Sequence, residues 1–471
     1  MIKRTFPLLV MTAVLLSGCT LVPKYSRPEA PIPASWPIGP AYEGSSTGVA
    51  NAALKWREFF TEQRLQAVIE MALKNNRDLR VAALNVERAR ALYKIQRAEL
   101  LPRIDATVGT VGQRLAADVA GEGRSTTVEQ YSADLGITSW EIDFFGRIRS
   151  LEKRALEEYF GTEHARRSAQ ILLVSEVANA YLTLAADREN LRLSQSTLEA
   201  QRSSYNLIRR RHEVGLVPEL DIRQVQTRVD TARVDVARFT QLVAQDENAL
   251  NLLVGSPVPA DLLPDSLSTI EQLPDVSPGT SSEVLLNRPD ILQAESSLKA
   301  ANANIGVARA AFFPRITLTT ALGTASGDLT GLFQTGSLAW SYAPQLVLPI
   351  FDARLWSALK ATKVERKIIL AQYERAIQGA FREVADSLAQ KGTLGDQLEA
   401  QESLLNATME TYRLSNARYE RGTDIYLNVL DAQRSLYAAQ QGLIAIRLAK
   451  TANQVRLYAV LGGGGDSVMP N

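Results

Sequence analysis

The chain has 471 residues, 46% of them apolar, and its 52 basic side chains are balanced by 51 acidic ones. So close a balance leaves no global field to hold nucleic acid. Beyond the first residues no uninterrupted apolar stretch reads as a transmembrane helix, so any membrane crossing by the rest of the chain would have to use strands.

The chain opens on Lys3 and Arg4, followed by an apolar run from Phe6 to Leu16. Roughly 11 residues are too few to span a bilayer and have the form of a secretory signal. Its removal leaves 50 basic against 51 acidic side chains. Leu16-Ser17-Gly18-Cys19 resembles the lipobox of bacterial lipoproteins, which implies a diacylglyceryl group on Cys19 and an acyl chain on the new N-terminus. Several acyl chains anchor stably where one binds only marginally. An ordinary signal with a chance cysteine is the plainer alternative. Cys19 is the sole cysteine, so no intramolecular disulfide can form, although an exported protein could carry one. Thr20, where an aspartate would signal retention, resembles an outer-membrane sorting signal.

Helical periodicity then runs from about Leu65 to Leu101 and stops at Pro102. A strand-like hairpin follows between Ile104 and Asp143, with strands expected over about 104–115 and 131–143. Helix resumes from Arg147 to Arg211, breaks at Gly215 and Pro218, and returns from Leu220 to Val254. The second half repeats this order. Its helices are expected at Val284–Phe313, Arg354–Glu420 and Ile425–Leu461, its strands at about 315–325 and 338–350. A helix of roughly 65 residues reaches about 100 Å. The two shorter helices of each half sum to nearly that length, which suggests two short helices stacked end to end beside one long one. Val177, Leu184, Leu191, Leu198 and Tyr205 recur every seven residues, as do Leu398, Leu405 and Tyr412. That spacing keeps an apolar seam on a partner helix, in a coiled coil or in an ordinary bundle.

The repeat is also written in residues. Asp78 to Pro102 and Asp290 to Pro314 have the same separation, and Pro-Arg-Ile closes both segments. Downstream, Glu176-Val177-Ala178 matches Glu383-Val384-Ala385, Arg211 matches Arg418 and Gly215 matches Gly422. A period of roughly 210 residues is far too long for a solenoid and indicates two similar halves.

Both hairpins alternate. Tyr131, Ala133, Leu135 and Ile137 point one way, and Ser132, Asp134, Gly136 and Thr138 the other. Ile316, Leu318 and Leu322 alternate with Thr317, Thr319 and Gly323, while Trp340, Tyr342, Leu346 and Leu348 share a face. Strands of about 10 residues cross a bilayer when tilted, but four cannot close in lipid, so several chains would have to contribute. Soluble two-layer packing would show the same alternation.

No catalytic constellation is present in the sequence, and an enzyme is not expected. His164 and His212 lie in charged helical stretches, and neither has a cysteine or second histidine at ligand spacing. Gly215 and Gly422 permit the left-handed backbone that ends a helix. Leu427 and Asp431 stand one helical turn apart and would project together towards the axis of a ring of subunits. Gln224 occupies the position of Asp431 in the first half, which limits an acidic ring to one set of helix pairs.

Taken in order, the lipobox at Cys19, Tyr25-Ser26-Arg27-Pro28, Asn76-Arg77-Asp78-Leu79, Trp140 to Arg147, Arg288-Pro289-Asp290-Ile291, Pro349-Ile350-Phe351 and Leu430-Asp431-Ala432-Gln433 resemble the outer membrane factor (TolC-like) family. The resemblance is strongest to the OprM-like lipoprotein channels of multidrug efflux pumps, and it covers essentially the whole chain.

The resemblance implies an α+β membrane protein. Three subunits would each give four strands to one 12-stranded β-barrel, continued by a long α-helical periplasmic barrel. Residues 1–18 would be the signal peptide and 19–64 the lipidated segment and part of a belt. Residues 65–255 would form the first repeat, 256–283 a linker in the belt, 284–462 the second repeat and 463–471 the tail. By the same resemblance Leu427 and Asp431 would form the rings of a closed periplasmic aperture. Arg418 would make locking contacts between helices, with Asp187 as acidic partner. The implied partners are two further copies of the chain, a periplasmic adaptor (membrane fusion) protein, an inner-membrane transporter of the resistance-nodulation-division type and outer membrane lipid. No nucleic acid, and no cofactor beyond the lipid on Cys19, is implied. The implied function is that of a passive exit duct for drugs, solvents or other small molecules. The outer component of type I protein secretion, and a lipid-anchored helical scaffold with no pore, remain the alternatives.

Overall fold

The computed structural model describes residues 20–43, 49–50, 54–120, 124–271, 273–279 and 281–463. Cys19 and the signal segment lie outside the described residues. The principal elements in chain order are α1 (Gln63–Asn75), α2 (Arg77–Ala98), β1 (Ile104–Leu115), β2 (Thr126–Glu141), α3 (Arg147–Glu213), α4 (Glu219–Val254), α5 (Pro289–Ala310), β3 (Arg315–Ser326), β4 (Leu338–Val347), α6 (Ala353–Glu420) and α7 (Tyr426–Val460).

Two expected helices are divided. The helix expected over 65–101 breaks at Asn76, whose backbone is extended at ψ 131°. Its side-chain oxygen accepts from the Leu79 N–H at 2.8 Å, and its amide donates to the Leu253 carbonyl at 2.8 Å. Asparagine thus caps the second helix with the hydrogen bond that favours it at helix starts. The helix expected from Val284 begins at Pro289, where a ring-fixed φ suits the first turn, and a 3₁₀ segment covers Ser282–Asn287. One apolar window, in α3, is by length and composition sufficient to cross a membrane, contrary to the sequence reading. More than half of that window is buried against the rest of the chain, as in a core helix.

The chain divides into two compact units, each drawing on both halves of the sequence. The first comprises the described residues within 20–29, 85–163 and 293–373. Its centre is an antiparallel sheet in the order β1-β2-β3-β4. The register puts Ile104, Val108, Leu135, Leu322, Trp340 and Leu346 on one face, with Asp105, Thr107, Asp134, Thr317, Thr319 and Gln345 on the other. The apolar face is bare: Val108 is 79% exposed, Leu135 60%, Leu322 59% and Trp340 68%. A bulge between Ile137 and Trp140, with Ser139 at φ +54°, adds one residue to β2 and restores the alternation beyond it. Within the chain β1 and β4 each have one unpaired edge.

Residues 20–29 run along α5 in this unit. Arg309 donates to the Leu21 carbonyl at 3.1 Å and Asn302 to the Pro23 carbonyl at 2.7 Å. The buried carboxylate of Glu295 receives Tyr25 at 3.1 Å, Lys299 at 3.3 Å and the guanidinium of Arg27. The three donors hold Glu295 ionised below the usual carboxylate range, against the burial that opposes it.

The second unit comprises the described residues within 30–84, 164–292 and 374–463. Its apolar core includes Phe59, Phe60, Leu65 and Ile69, with the Phe59 ring stacked on Tyr458 at 4.3 Å. Of the seven-residue seam, Val177 and Leu184 are fully buried. The Tyr181 hydroxyl, buried beside them, donates to Glu62 at 3.0 Å. Val49–Ala50 pairs in parallel with Val276–Ser277, joining the N-terminal segment to the linker between the halves.

Candidate functional site at the interhelical turns

The four long helices of the second unit meet at two turns built the same way. After α3, Gly215 adopts φ +75° and its N–H reaches the His212 carbonyl at 2.8 Å, while the Leu216 N–H reaches Arg211 at 2.9 Å. After α6, Gly422 adopts φ +73°, and the pairs are Gly422 to Tyr419 at 2.9 Å and Thr423 to Arg418 at 3.0 Å. This pair of bonds around a left-handed residue is the Schellman closure, which satisfies the last helical carbonyls. Its requirement for positive φ accounts for glycine at both positions. His212 belongs to the first turn through Nδ1, 2.8 Å from the Val217 carbonyl.

Between the turns lies a small core of Ile208, Val225 and Leu430, flanked by Tyr205, Val217, Ile222, Tyr419 and Tyr426. Apart from Val217, which lies in the first turn, these residues come from α3, α4, α6 and α7, so the cluster holds two helical hairpins together at their tips. Arg211 donates to the Tyr419 hydroxyl at 2.7 Å, with its guanidinium 5.4 Å from the ring centre. Burial raises the Tyr426 hydroxyl above the usual phenol range, keeping it neutral.

The expected site residues are distributed around this core. Leu427 and Asp431 lie on α7, and both are half exposed or nearly so. An Asp431 oxygen is 3.7 Å from Arg228 on α4 and 3.5 Å from Arg434 on its own helix. Arg228 therefore links the second hairpin to the first. Gln224, at the position equivalent to Asp431, leaves the counter-charge to come from Arg228, one helical turn further along.

Arg418 does not pair with Asp187 within the chain. It lies 3.3 Å from Asp424, across its own turn, and Asp424 in turn accepts from Asn428 at 2.6 Å. Asp187 precedes Arg211 by 24 positions, which on a helix is about 36 Å, and Arg211 is the residue that touches the neighbour of Arg418. Asp187 instead faces Asp246 of α4, with Asn190 and Arg238 nearby. Burial first, and then the Asp187 charge, push Asp246 up to about 6. Two facing carboxylates in a half-buried site resist joint ionisation and share a proton.

Sequence reasoning missed Arg228, Tyr419 and Asp424. No local signal marks Arg228, because a half-exposed acid on a helix needs no fixed partner and its pairing depends on how α7 packs on α4. Higher in the same helices, the Tyr437 hydroxyl lies 2.8 Å from the Ser194 hydroxyl and donates to Asp235 at 3.2 Å, bridging α7 to α3 and α4. Among the described residues no group of three His, Cys, Asp or Glu side chains could hold a metal ion.

A family model described as outer membrane efflux protein matches residues 68–256 and 280–463. The toluene efflux pump outer membrane protein TtgC of Pseudomonas putida is 49% identical over 458 residues, covering 97% of this chain and 95% of that protein. A membrane protein from Pseudomonas aeruginosa, solved by crystallography, superposes with a TM-score of 0.90 at 40% identity, covering 96% of this chain and all of that one. The open state of the Neisseria gonorrhoeae MtrE outer membrane channel superposes with a TM-score of 0.84 at 35% identity, covering 95% of this chain and 98% of that one.

Proposed function

The chain belongs to the outer membrane efflux protein family, and from that premise we propose that three copies form one closed duct through which small molecules leave the periplasm. The protein is an outer membrane efflux component; the trimer, its gate and its partners are the parts proposed. The observation that carries the proposal is the four-stranded sheet, apolar on one face, polar on the other and unpaired at both edges. In hydrocarbon an open edge would leave a row of backbone groups unsatisfied, so neighbouring copies must pair β4 of one with β1 of the next. Three copies give 12 strands. Around the edge strands, α2 exposes Leu92 and Ile95, and α6 exposes Trp356, Val364 and Ile368. Two unlike apolar stripes suit a head-to-tail ring.

The lipid on Cys19 anchors each subunit, and residues 65–255 and 284–462 act as two repeats that each contribute one hairpin. The tips near Gly215 and Gly422 form the gate, with Leu427 and Asp431 facing the axis. Opening separates α7 from α4, breaking the Asp431–Arg228 pair and uncovering part of the Ile208–Val225–Leu430 core. A periplasmic adaptor that binds the open tips better than the closed ones shifts this equilibrium, and an inner-membrane transporter of the resistance-nodulation-division type supplies the energy. Toluene, named for a relative of 49% identity, sets the expected cargo as small apolar molecules. Conductance of the purified protein in a planar bilayer, combined with its mass in detergent, tests the reading. A conducting trimer supports it; a monomer, or a trimer that never conducts, refutes it.

A further inference from the structure

In the first unit, where strands give way to helices, the polar face of the sheet carries a cleft of about 310 Å³. That volume is at the small end of ligand pockets. Glu141 ends β2, Arg147 begins α3 and Arg315 begins β3. Glu141 pairs with Thr317 and Arg315 with Val347 across the sheet, so both belong to the face of Thr317 and Gln345. The Glu141 carboxylate is almost buried and accepts two bonds from Arg147 at 2.8 Å, while Arg315 approaches it at 2.6 Å. The other acid of the lining, Asp143, is occupied by Arg149, through its backbone N–H at 2.9 Å and its Nε at 3.1 Å. Within the lining Arg147 and Arg315 balance Glu141 and Asp143, and both carboxylates are already taken up by arginines, so the donors that Arg315 does not spend on Glu141 are what an incoming ligand meets. Arg315 is its most open cation, with 58% of the side chain exposed. The opposite wall is apolar, formed by the Phe145 and Phe313 rings stacked at 4.9 Å together with Pro314 and Pro349.

We propose that this cleft binds aromatic carboxylates, the carboxylate on the Arg315 guanidinium and the ring against Phe313. Guanidinium takes a carboxylate through charge-assisted, directional bonds. The stacked phenylalanines and prolines accept a flat apolar body. A neutral arene gains only the apolar contact, and an aromatic amine meets a guanidinium and finds both carboxylates already bonded to arginines. The proposal rests on the duct reading, in which this face lines the conduit, and makes the wall a weak station for anionic aromatic cargo.

The test is fluorine NMR titration of the full channel in zwitterionic nanodiscs with a fluorinated benzoate and the matching benzylamine, empty nanodiscs serving as the blank. The benzoate is expected to bind saturably and at least about tenfold more tightly than the amine, as one charge-assisted bond provides. Arg315→Gln should remove most of that preference, and Phe313→Ala should weaken the acid. Arg315→Lys, which keeps a partner for Glu141, should bind the acid several-fold more weakly if the fork geometry matters. Equal binding of acid and amine overturns the proposal, as does acid binding unchanged in the three variants. Conductance of the same preparation separates the two ideas. A conducting channel without acid binding sinks the site alone, and acid binding by a protein that does not conduct sinks the duct reading alone.

Discussion

Replacing Asp431 by asparagine keeps the shape of the side chain and removes its charge. The Asp431–Arg228 contact, at 3.7 Å with the two side chains 51% and 26% exposed, is a partly screened ion pair. Such pairs contribute about 0.2–1 kcal/mol, so about 0.5 kcal/mol per subunit is a fair central figure. If three subunits open together the sum is about 1.5 kcal/mol, which raises the ratio of open to closed channels about tenfold. Single-channel recording in a planar bilayer measures that ratio. The effect should shrink at 1 M salt, where the screening length falls to about 3 Å. Arg434 also faces Asp431, so Arg434→Gln is the control. Arg228→Gln should raise the open ratio by a similar factor and add little in the double variant, because the two residues form one contact. An Asp431→Asn channel with unchanged open ratio at low salt, or effects of the two variants that simply add, would refute the idea that this pair holds the gate.

Arg418→Ala should open the channel less than Asp431→Asn, because Arg418 bonds Asp424 within its own hairpin; closed-state conductance decides the order. Asp246 has a folded pKa of about 6, above its unfolded value, so its contribution is complete at low pH and is lost as pH rises through 6. Discounted for solvent screening this is about 1 kcal/mol, so the melting temperature should fall between pH 5 and 7.5, and Asp246→Asn should flatten that slope. Gly422→Ala forces a side chain into the left-handed region at a cost of about 1–2 kcal/mol, and limited proteolysis near Arg421 should accelerate. Glu295→Ala leaves Arg27 and Lys299 without their shared carboxylate, so a protease should release residues 20–29 from α5 faster than in the wild type.

Much of the fold is written in periodicity. Heptad spacing from Val177 to Tyr205 and strict alternation around Leu135 are local signals, and the structure has helix and strand there. The break at Asn76 was harder to see, since its capping bond to Leu79 is local but its link to the Leu253 carbonyl joins residues 177 positions apart. At the tips, Gly215 and Gly422 announce themselves because few residues tolerate their φ. The partner of Arg418 was not legible. An arginine on a long helix can meet any acid at its own height, and only the contact of Arg211 with Tyr419 shows that Asp187 stands far along the helix. Glu141 between two arginines depends on how a strand end meets a helix start, a junction that neither period describes.

In the proposed duct one face of the four-stranded sheet meets lipid and the other water. Single cysteines placed in turn at 134, 135, 319, 322, 340 and 341 of the membrane-embedded protein can carry spin labels whose collisions with oxygen and with a water-soluble nickel chelate are measured. Labels at 135, 322 and 340 should favour oxygen, and those at 134, 319 and 341 the chelate. Equal accessibility along the strands, or the opposite alternation, would contradict the account.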